Sequence, residues 1–414
     1  MINLDDLTAP VLTELQQQII DYTDARAVRF DIDEMLREAV VAAGCEDLDA
    51  DGGVLTRLAA HVEAIESDTG LRQLARGTLR SRIVRLLRNR LSLTDLLRRY
   101  PQIHDIEITA PLIVVGMPRS GTTHLVNLIA CDRDRRALPY WESQDPLPIT
   151  GGGPDVHGVD PRYTRVRREH DAMMAATPYV AAMHDRFPEA IEEEVELLDL
   201  DFASYVLEWH ARVPGWRDYY LSLDQHHHYG FLARVLRALT FLRGPRTWVL
   251  KSPQHGEQLS ALTATFPDAT IAFTHRDPVA VIQSAITMMA YSDRMRRHSI
   301  DPDWLLDYWT DRVHRLLTAC VRDRELVPDE RSVDIRFDQL NGNELPVLTD
   351  LYRRAGQEIT PQLAQRFRAY IDSNRRGAKG AIPYDLRGHF GIAPEELRSR
   401  FGFYLDRFDV RPEV

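Results

Sequence analysis

Cysteine is scarce in this sequence. Only Cys45, Cys131 and Cys320 occur among the 414 residues, they lie far apart, and there is no Cys-x-x-Cys pair. An odd number of widely spaced cysteines excludes a disulfide framework and a cysteine-based zinc site, and it is typical of proteins in a reducing compartment. We therefore expect a cytoplasmic protein with free thiols.

Long apolar runs are absent as well. No stretch approaches the roughly 18 uncharged apolar residues that a membrane span needs, so we predict no transmembrane segment. The first residues, MINLDDLTAPVLTELQQQ, are acidic and lack the apolar centre of a signal peptide. Both absences agree with the expected cytoplasmic location.

Positive charge is in deficit. The chain carries 51 lysines and arginines against 62 aspartates and glutamates, a formal net charge of −11. Nucleic-acid binding needs a basic surface, so nucleic acid is excluded as an expected partner. The arginine-rich run at residues 80–99 is accordingly predicted to be the solvated face of a helix. An anionic ligand has to be held by a local cluster of cations and backbone N–H groups.

What the sequence does contain is an alternation of short apolar strands with helices. Apolar, β-branched runs predict four buried strands, at residues 110–116, 247–253, 269–278 and 332–337. Helical periodicity follows each of the first three. This alternation predicts βαβ units and therefore an α/β fold in which helices flank a central parallel sheet. Ligands are expected beyond the carboxyl ends of the strands.

The rest of the chain is predicted to be mostly helical. Residues 8–100, 301–330 and 344–407 have apolar positions at the spacing of amphipathic helices. We expect residues 1–105 to form a helical N-terminal extension packed on the core. Residues 106–414 are expected to form the α/β domain, with a helical C-terminal part.

The most informative stretch is IVVGMPRSGTTHL, residues 113–125. Gly116 and Gly121 have the G-x-x-x-x-G spacing of a Walker A loop, but Thr122 stands where a P-loop ATPase or GTPase has its lysine. A Gly-rich turn between a buried strand and a helix directs backbone N–H groups at an anion. Arg119 adds a guanidinium fork suited to phosphate or sulfate oxygens. Hydroxyl donors are offered by Ser120, Thr122 and Thr123.

A second anion site is predicted in THRDPVAVIQS, residues 274–284. Arg276 lies just past the third predicted strand, and Ser284 lies in the helix that follows. An arginine and a serine placed in this way can share one phosphate group. The alternative for either residue alone is an ordinary surface arginine or helical serine.

Together the two motifs resemble those of sulfotransferases that use 3′-phosphoadenosine-5′-phosphosulfate (PAPS). GMPRSGTTHL resembles the family's 5′-phosphosulfate loop, P-[KR]-[SA]-G-T-T, and THRDPVAVIQS resembles its 3′-phosphate motif, R-[DN]-P…S. The resemblance covers about residues 98–410 and is greatest to the bacterial, mycobacterial-type branch. It implies a P-loop-kinase-like fold, PAPS as cofactor, no metal, and transfer of a sulfuryl group to a hydroxyl of a small-molecule, lipid or glycolipid acceptor.

In-line sulfuryl transfer needs a base for the acceptor hydroxyl and cations around the sulfuryl group. Lys251, at the end of the second predicted strand, resembles the family's catalytic-site lysine, and Arg119 is expected to share the sulfuryl charge. Animal cytosolic members carry a base histidine two residues after that lysine, where this chain has Pro253. His255 is nearby, and a base and a structural role in the next helix are equal alternatives for it.

The bacterial branch suggests a carboxylate base instead. In that branch a histidine is followed nine residues later by a glutamate, and His184 and Glu193 have this spacing in HDRFPEAIEEEVELL. We therefore predict that Glu193 is the base, with Glu192 or Glu194 as alternatives if the register shifts. The competitor is Glu142 in LPYWESQDP, which resembles the base of tyrosylprotein sulfotransferases.

Three further stretches bear on the site. NRRGAKGAIPYDL, residues 374–386, offers cofactor contacts from Arg375, Arg376 and Lys379, although it lacks the Trp-Lys pair of many cytosolic members. Consecutive histidines in QHHHYG, residues 225–230, would point about 100° apart on a helix and cannot converge on one metal ion. Either an acceptor pocket or the core is expected to contain Met288, Met289, Tyr291, Trp304, Tyr308 and Trp309.

Two other functions compete with sulfuryl transfer. A P-loop kinase-like phosphotransferase is disfavoured by Thr122 in place of the lysine and by the lack of a clear Walker B strand. A catalytically inactive PAP- or PAPS-binding protein, where PAP is adenosine 3′,5′-bisphosphate, is disfavoured by the presence of Lys251 and several carboxylates. The oligomeric state is open, and a homo-oligomer is compatible with the sequence.

Overall fold

The computed structural model describes the chain except for residues 1, 3, 49–52, 149–152, 154–157, 185, 341 and 375–381. The described residues form an all-parallel, five-stranded sheet in the order β2-β3-β1-β4-β5. Its strands are β1 (Leu112–Gly116), β2 (Arg135–Arg136), β3 (Thr247–Lys251), β4 (Thr270–His275) and β5 (Ser332–Arg336). The predicted α/β fold and its four strands are confirmed. The edge strand β2 was not predicted, because two arginines carry no apolar pattern.

Helices cover both faces of the sheet. The described α-helices are α1 (Glu14–Asp24), α2 (Ile32–Ala43), α3 (Val54–Ser67), α4 (Gln73–Arg99), α5 (Thr122–Ile129), α6 (Tyr140–Gln144), α7 (Pro161–Ala176), α8 (Val180–His184), α9 (Val195–Leu198), α10 (Pro214–Ser222), α11 (Gln225–Arg243), α12 (Leu259–Thr265), α13 (Pro278–Arg296), α14 (Pro302–Asp323), α15 (Phe337–Leu340), α16 (Glu344–Arg354), α17 (Pro361–Ser373), α18 (Leu386–Phe390), α19 (Pro394–Arg398) and α20 (Gly402–Phe408). Short 3₁₀ helices occur at Pro101–Asp105, Asp199–Asp201, Val206–Trp209, Pro253–Glu257, Arg324–Leu326, Asp329–Arg331 and Ser399–Phe401.

Strand residues alternate between two apolar layers. Ile113, Val115 and Phe273 belong to a core shared with α2, α3, α4 and α11. Leu112 and Val114 face the opposite side, in a core shared with α5, α16 and α17. A strand buried on both faces is expected to be apolar throughout, and β1 has this pattern. β4 (TIAFTH) is buried along its whole length but is apolar only in its second to fourth residues. The proposed division of the chain at residue 105 stays a prediction.

The register of the strands brings the predicted site residues to one edge of the sheet. Gly116, at the end of β1, lies opposite Thr274 of β4. Val114 of β1 lies opposite Lys251, the last residue of β3. Asp277 then begins α13 as its N-cap, because its side chain accepts a hydrogen bond from the Val279 N–H at 3.0 Å. The loop after β1, the end of β3 and the turn after β4 therefore meet.

The arginine-rich helix α4 is not the solvated face that the sequence predicted. Arg98 is largely exposed, but Arg82 and Arg90 are buried. Arg82 forms ion pairs with Glu196 and Asp199, while Arg90 pairs with Asp201. Buried arginines are stable only with such partners, and the partners are distant in the sequence.

His61 is a second polar group enclosed by this core. Its two ring nitrogens are buried and have no hydrogen-bond partner among the described residues. Its ring packs edge-on against Phe202 and Trp216, with centroid distances of 5.3 and 4.8 Å. Burial lowers the pKa of His61 from 6.5 to about 4, although the charge of Asp199 opposes the effect.

We predict that His61 makes the fold sensitive to acid. Because the unfolded chain binds this proton more readily, the stability from neutral His61 is present above pH 6.5 and lost as pH falls towards 4. When the pH is lowered from 7 to 4, the unfolding free energy of His61→Phe should fall by about 3 kcal/mol less than that of the wild type. Urea unfolding at several pH values measures this difference. The exposed His227→Phe should behave like the wild type, and parallel losses in all three proteins would contradict the prediction.

Candidate active site

The turn between β1 and α5 forms a cradle at the amino end of that helix. Gly121 and Arg119 both have left-handed backbone conformations, with φ of 92° and 68°. For Arg119, which has a Cβ, this conformation costs about 1 kcal/mol or more. The cost is offset by tertiary contacts, since Arg276 Nη1 donates to the Arg119 carbonyl oxygen at 2.6 Å. A side chain at Gly121 would crowd Phe337 and Leu340, each 3.1 Å from the added Cβ.

Ser120 supports the loop from inside. Its Oγ donates to the Met117 carbonyl oxygen at 2.6 Å and lies 2.7 Å from Thr274 Oγ1. The hydroxyl is thus engaged within the protein, and the structure does not place it in the cavity as the sequence suggested. Thr122 and Thr123 do line the cavity, so their hydroxyls remain the candidate donors in this turn.

The two predicted anion motifs contact each other. Arg119 Nε donates to Ser284 Oγ at 3.0 Å, and Arg119 Nη1 donates to the Met183 carbonyl oxygen. The Arg276 guanidinium lies 4.0 Å from the centre of the Phe337 ring. Residues 165 positions apart are therefore brought together around one cavity of about 460 Å³.

The cavity has two different halves. We name one half the nucleotide half, after the ligand expected from the sequence; both motifs line it, through Arg119, Gly121, Thr122, Thr123, Arg276 and Ser284. The acceptor half, as we name it, is lined by the residues Ala182, His184, Arg186, Glu192, Glu193, Val195, Glu196, Tyr205, Val206, Trp209, His210 and Met288. It combines polar side chains with an aromatic wall formed by Tyr205 and Trp209, a composition typical of small-molecule sites.

The glutamate run borders the cavity and is not a solvated helix face. Glu192 Oε1 lies 3.0 Å from His184 Nε2. Glu193 Oε1 accepts from Lys251 Nζ at 2.7 Å. Glu194 is buried, pairs with His255 and accepts from the Lys251 backbone N–H at 2.7 Å. Each carboxylate therefore has its own partner, and of the three only Glu192 and Glu193 line the cavity.

Glu192 and Glu193, the two members of the run that line the cavity, differ in their surroundings. Burial alone would raise the pKa of Glu192, but His184, Lys251 and Arg186 outweigh it and hold that pKa well below its ordinary value. A carboxylate that releases its proton so readily is a weak proton acceptor. Glu193 keeps 17% of its side chain exposed, while its partner Lys251 is fully buried.

The other two candidate bases lie elsewhere. Glu142, in α6, is buried and accepts from Arg243 Nη1 at 2.8 Å, and it does not line the cavity. Burial raises the pKa of Glu142, with Arg243 opposing the effect. His255 is enclosed between Tyr229, whose hydroxyl is 2.7 Å from Nδ1, and Glu194. Its contacts are those of a structural residue that fixes Glu194.

Most of the residues that the sequence suggested for an acceptor pocket do not line the acceptor half. Met288 lines it, but Met289, Tyr291, Tyr308 and Trp309 are buried in the core around α13 and α14. Trp304 stacks on Tyr308 with a centroid distance of 4.6 Å.

The aromatic wall consists of Tyr205 and Trp209, which were not predicted. The aromatic spacing in YVLEW, which begins eleven residues after Glu194, was the available indication. His210, next to this wall, is neutral at physiological pH, because burial and several arginines, Arg296 first, lower its pKa well below 6.5.

The other features predicted from the sequence are the arginines and lysine of residues 374–386, the histidine run, and the absence of metal and membrane sites. Arg375, Arg376 and Lys379 lie outside the described residues. In the histidine run, His228 is buried, and its Nδ1 lies 2.5 Å from Asp201 Oδ2. His226 is at the surface, where its Nδ1 lies 2.7 Å from Asp224 Oδ1. Within the described ranges, no group of three or more His, Cys, Asp or Glu side chains is arranged to hold a metal ion. None of the described helices combines the length and apolar character of a membrane span.

Comparison with known proteins identifies the family. A model of the sulfotransferase family matches residues 111–361, more than half of the chain. The chain belongs to the sulfotransferase family. The resemblance inferred from the two phosphate motifs is thereby confirmed.

Solved sulfotransferase structures have the same fold. STF9 from Mycobacterium avium superposes with a TM-score of 0.82 at 22% identity, covering 93% of this chain and all of that protein. STF1 from Mycobacterium tuberculosis superposes with a TM-score of 0.78 at 24% identity, covering 90% of this chain and 99% of that protein. A search of curated proteins found no match.

Gly116 gives a direct test of the loop geometry. A Cβ at this position would lie 2.0 Å from Thr274 Oγ1 and 2.8 Å from the Thr274 carbonyl oxygen. We predict that Gly116→Ala lowers the unfolding free energy by about 1–3 kcal/mol, because backbone must move. Gly230→Ala is the control, since that helical glycine has open space and the change should stabilise α11 by roughly 1 kcal/mol. Urea unfolding measures both, and equal stability of Gly116→Ala and the wild type would contradict the described loop.

Proposed function

We propose that this sulfotransferase uses PAPS and transfers its sulfuryl group to a hydroxyl of a small-molecule or lipid acceptor. The observation that carries the proposal is the meeting of the two phosphate motifs beside the Lys251–Glu193 pair. Arg119 contacts Ser284 and Arg276 on one side, and Glu193 contacts Lys251 on the other. All except the buried Lys251 line the same cavity.

The residues of the nucleotide half fit the two phosphate groups of the proposed cofactor. The 5′-phosphosulfate would be held by the turn before α5, through backbone N–H groups, the Arg119 guanidinium and the hydroxyls of Thr122 and Thr123. The 3′-phosphate would be held by Arg276 and Ser284. Bound PAPS supplies the sulfuryl group, and neither set of contacts requires a metal ion.

We assign the base role to Glu193. It is the carboxylate that both lines the cavity and contacts Lys251, at 2.7 Å. Glu193 would take the proton of the acceptor hydroxyl as the oxygen attacks sulfur. As Glu193 gains the proton, its ion pair with the buried Lys251 would weaken, and Lys251 Nζ would turn to donate to the bridging oxygen that leaves with the nucleotide phosphate. His184 would act indirectly, by orienting Glu192 at the cavity wall.

The acceptor half fits a molecule with an apolar or aromatic body. Tyr205, Val206, Trp209 and Met288 offer apolar surface there. Arg186 borders the same space, and its Nε is buried with no hydrogen-bond partner in the described part of the chain. A buried donor of this kind favours a second polar group on the acceptor, beyond the hydroxyl that is sulfated. An amphipathic alcohol meets both conditions.

Nucleotide preference tests the cofactor assignment. PAP should stabilise the protein without metal, by about 2.7 kcal/mol at a hundredfold excess over its dissociation constant, because it fills both phosphate sites. ADP should stabilise less, since it has no 3′-phosphate. Thermal-shift measurements with PAP, ADP and Mg-ATP report this order. Stabilisation by Mg-ATP alone would support a phosphotransferase and contradict the proposal.

Replacement of Glu193 tests the base. Glu193→Gln should lower the rate of labelled sulfate transfer from PAPS into cell-extract acceptors by about a hundredfold to ten-thousandfold. Its affinity for PAP should stay within about twofold, because the change leaves the phosphate contacts intact. Glu142→Gln is the matched control and should keep its transfer activity. Full activity of Glu193→Gln with loss of activity in Glu142→Gln would show that the base assignment is wrong.

A further inference from the structure

The C-terminal tail, residues 409–414, returns to the nucleotide half of the cavity. Asp409 pairs with Arg336, at the end of β5, at 2.8 Å. The Glu413 backbone N–H donates to Asp277 Oδ2 at 2.9 Å, next to the first residue of α13. Two anchors thus fix the tail across the carboxyl ends of β4 and β5. They bring the Glu413 side chain to Arg276.

Glu413 occupies one full edge of the Arg276 guanidinium. Arg276 Nε donates to Glu413 Oε1 at 2.9 Å, and Nη2 donates to Oε2 at 2.8 Å. Nη1 is engaged by the Arg119 carbonyl oxygen. A two-point contact of this kind is the strongest that arginine makes to a carboxylate or a phosphate. In the free protein the arginine of the 3′-phosphate motif therefore already holds an anion.

Ser284, the second group of that motif, is engaged as well. It accepts from Arg119 Nε, and its Oγ lies 2.9 Å from the Tyr384 hydroxyl. These partners are neutral or cationic, so they can remain beside a bound phosphate. Glu413 differs, because it is the negatively charged group among the described contacts of Arg276. Two anions on one guanidinium repel each other.

We propose that Glu413 is a specificity-determining residue that the 3′-phosphate of the nucleotide replaces on Arg276. The inference rests on the proposed function, because it needs Arg276 to bind that phosphate. The Arg276–Glu413 pair is broken when the new pair forms. The binding free energy gained from the 3′-phosphate is therefore a difference: the contact formed between Arg276 and the phosphate, less the contact broken between Arg276 and Glu413. Glu413 lowers the affinity for nucleotides with a 3′-phosphate and leaves nucleotides without one unaffected.

The matched ligands PAP and 5′-AMP test this exchange, since they differ only in the 3′-phosphate. Glu413→Gln should bind PAP about threefold to tenfold more tightly than the wild type in calorimetric titrations of the full chain. Its affinity for 5′-AMP should stay within about twofold. Glu395→Gln, at an exposed position of α19, is the control and should match the wild type for both ligands.

Three results would overturn the inference. Unchanged or weaker PAP binding to Glu413→Gln, with normal PAP binding to the wild type, would show that Glu413 orients Arg276 or is irrelevant to it. An equal gain for PAP and 5′-AMP would show that the effect does not involve the 3′-phosphate. No binding of PAP to either protein would overturn the proposed function itself, and this inference with it.

Discussion

Buried carboxylates need partners, and this constraint organises the segment from Glu192 to Asp201. Taking a charge out of water costs several kcal/mol unless it is paired. Glu193 and Glu194 find their partners at the end of β3 and just beyond it, in Lys251 and His255. Seven residues after Glu194, Asp201 pairs with arginines of the N-terminal helices, and Glu196 pairs with Arg82. The same segment thus ties the N-terminal helices to the sheet and fixes Glu193 at the cavity.

The parts of this protein that could be predicted from its sequence depend on local patterns. Strand β1 is a continuous apolar run, and the turn after it has its glycines at a fixed spacing, so neither requires knowledge of distant contacts. The partners of Glu193 and Glu194 could not be predicted, because they come from residues 57 or more positions away. The same holds for Ser120, whose inward hydroxyl depends on Thr274. Arg82 was wrongly predicted to be solvated because its partners, too, are distant in the sequence.

The contact between the two phosphate motifs gives the site a feature that neither motif has alone. Arg119 belongs to the 5′ loop, yet it donates to Ser284 of the 3′ motif, and its carbonyl oxygen accepts from Arg276. Any shift of the loop is therefore transmitted to the arginine expected to bind the 3′-phosphate. Glu413 reaches the same arginine from the end of the chain. The nucleotide half is one connected network with the left-handed Arg119 at its centre, and we propose that the cofactor binds there.

A crystal structure of the protein with bound PAP tests the central claim most directly. That claim is that one cavity holds the nucleotide by the two motifs and presents Glu193 to the acceptor. We predict the 5′-phosphate in the turn before α5, the 3′-phosphate on Arg276 and Ser284, and open space beside Glu193. PAP bound outside this cavity, or bound with the two phosphates exchanged, would contradict the account.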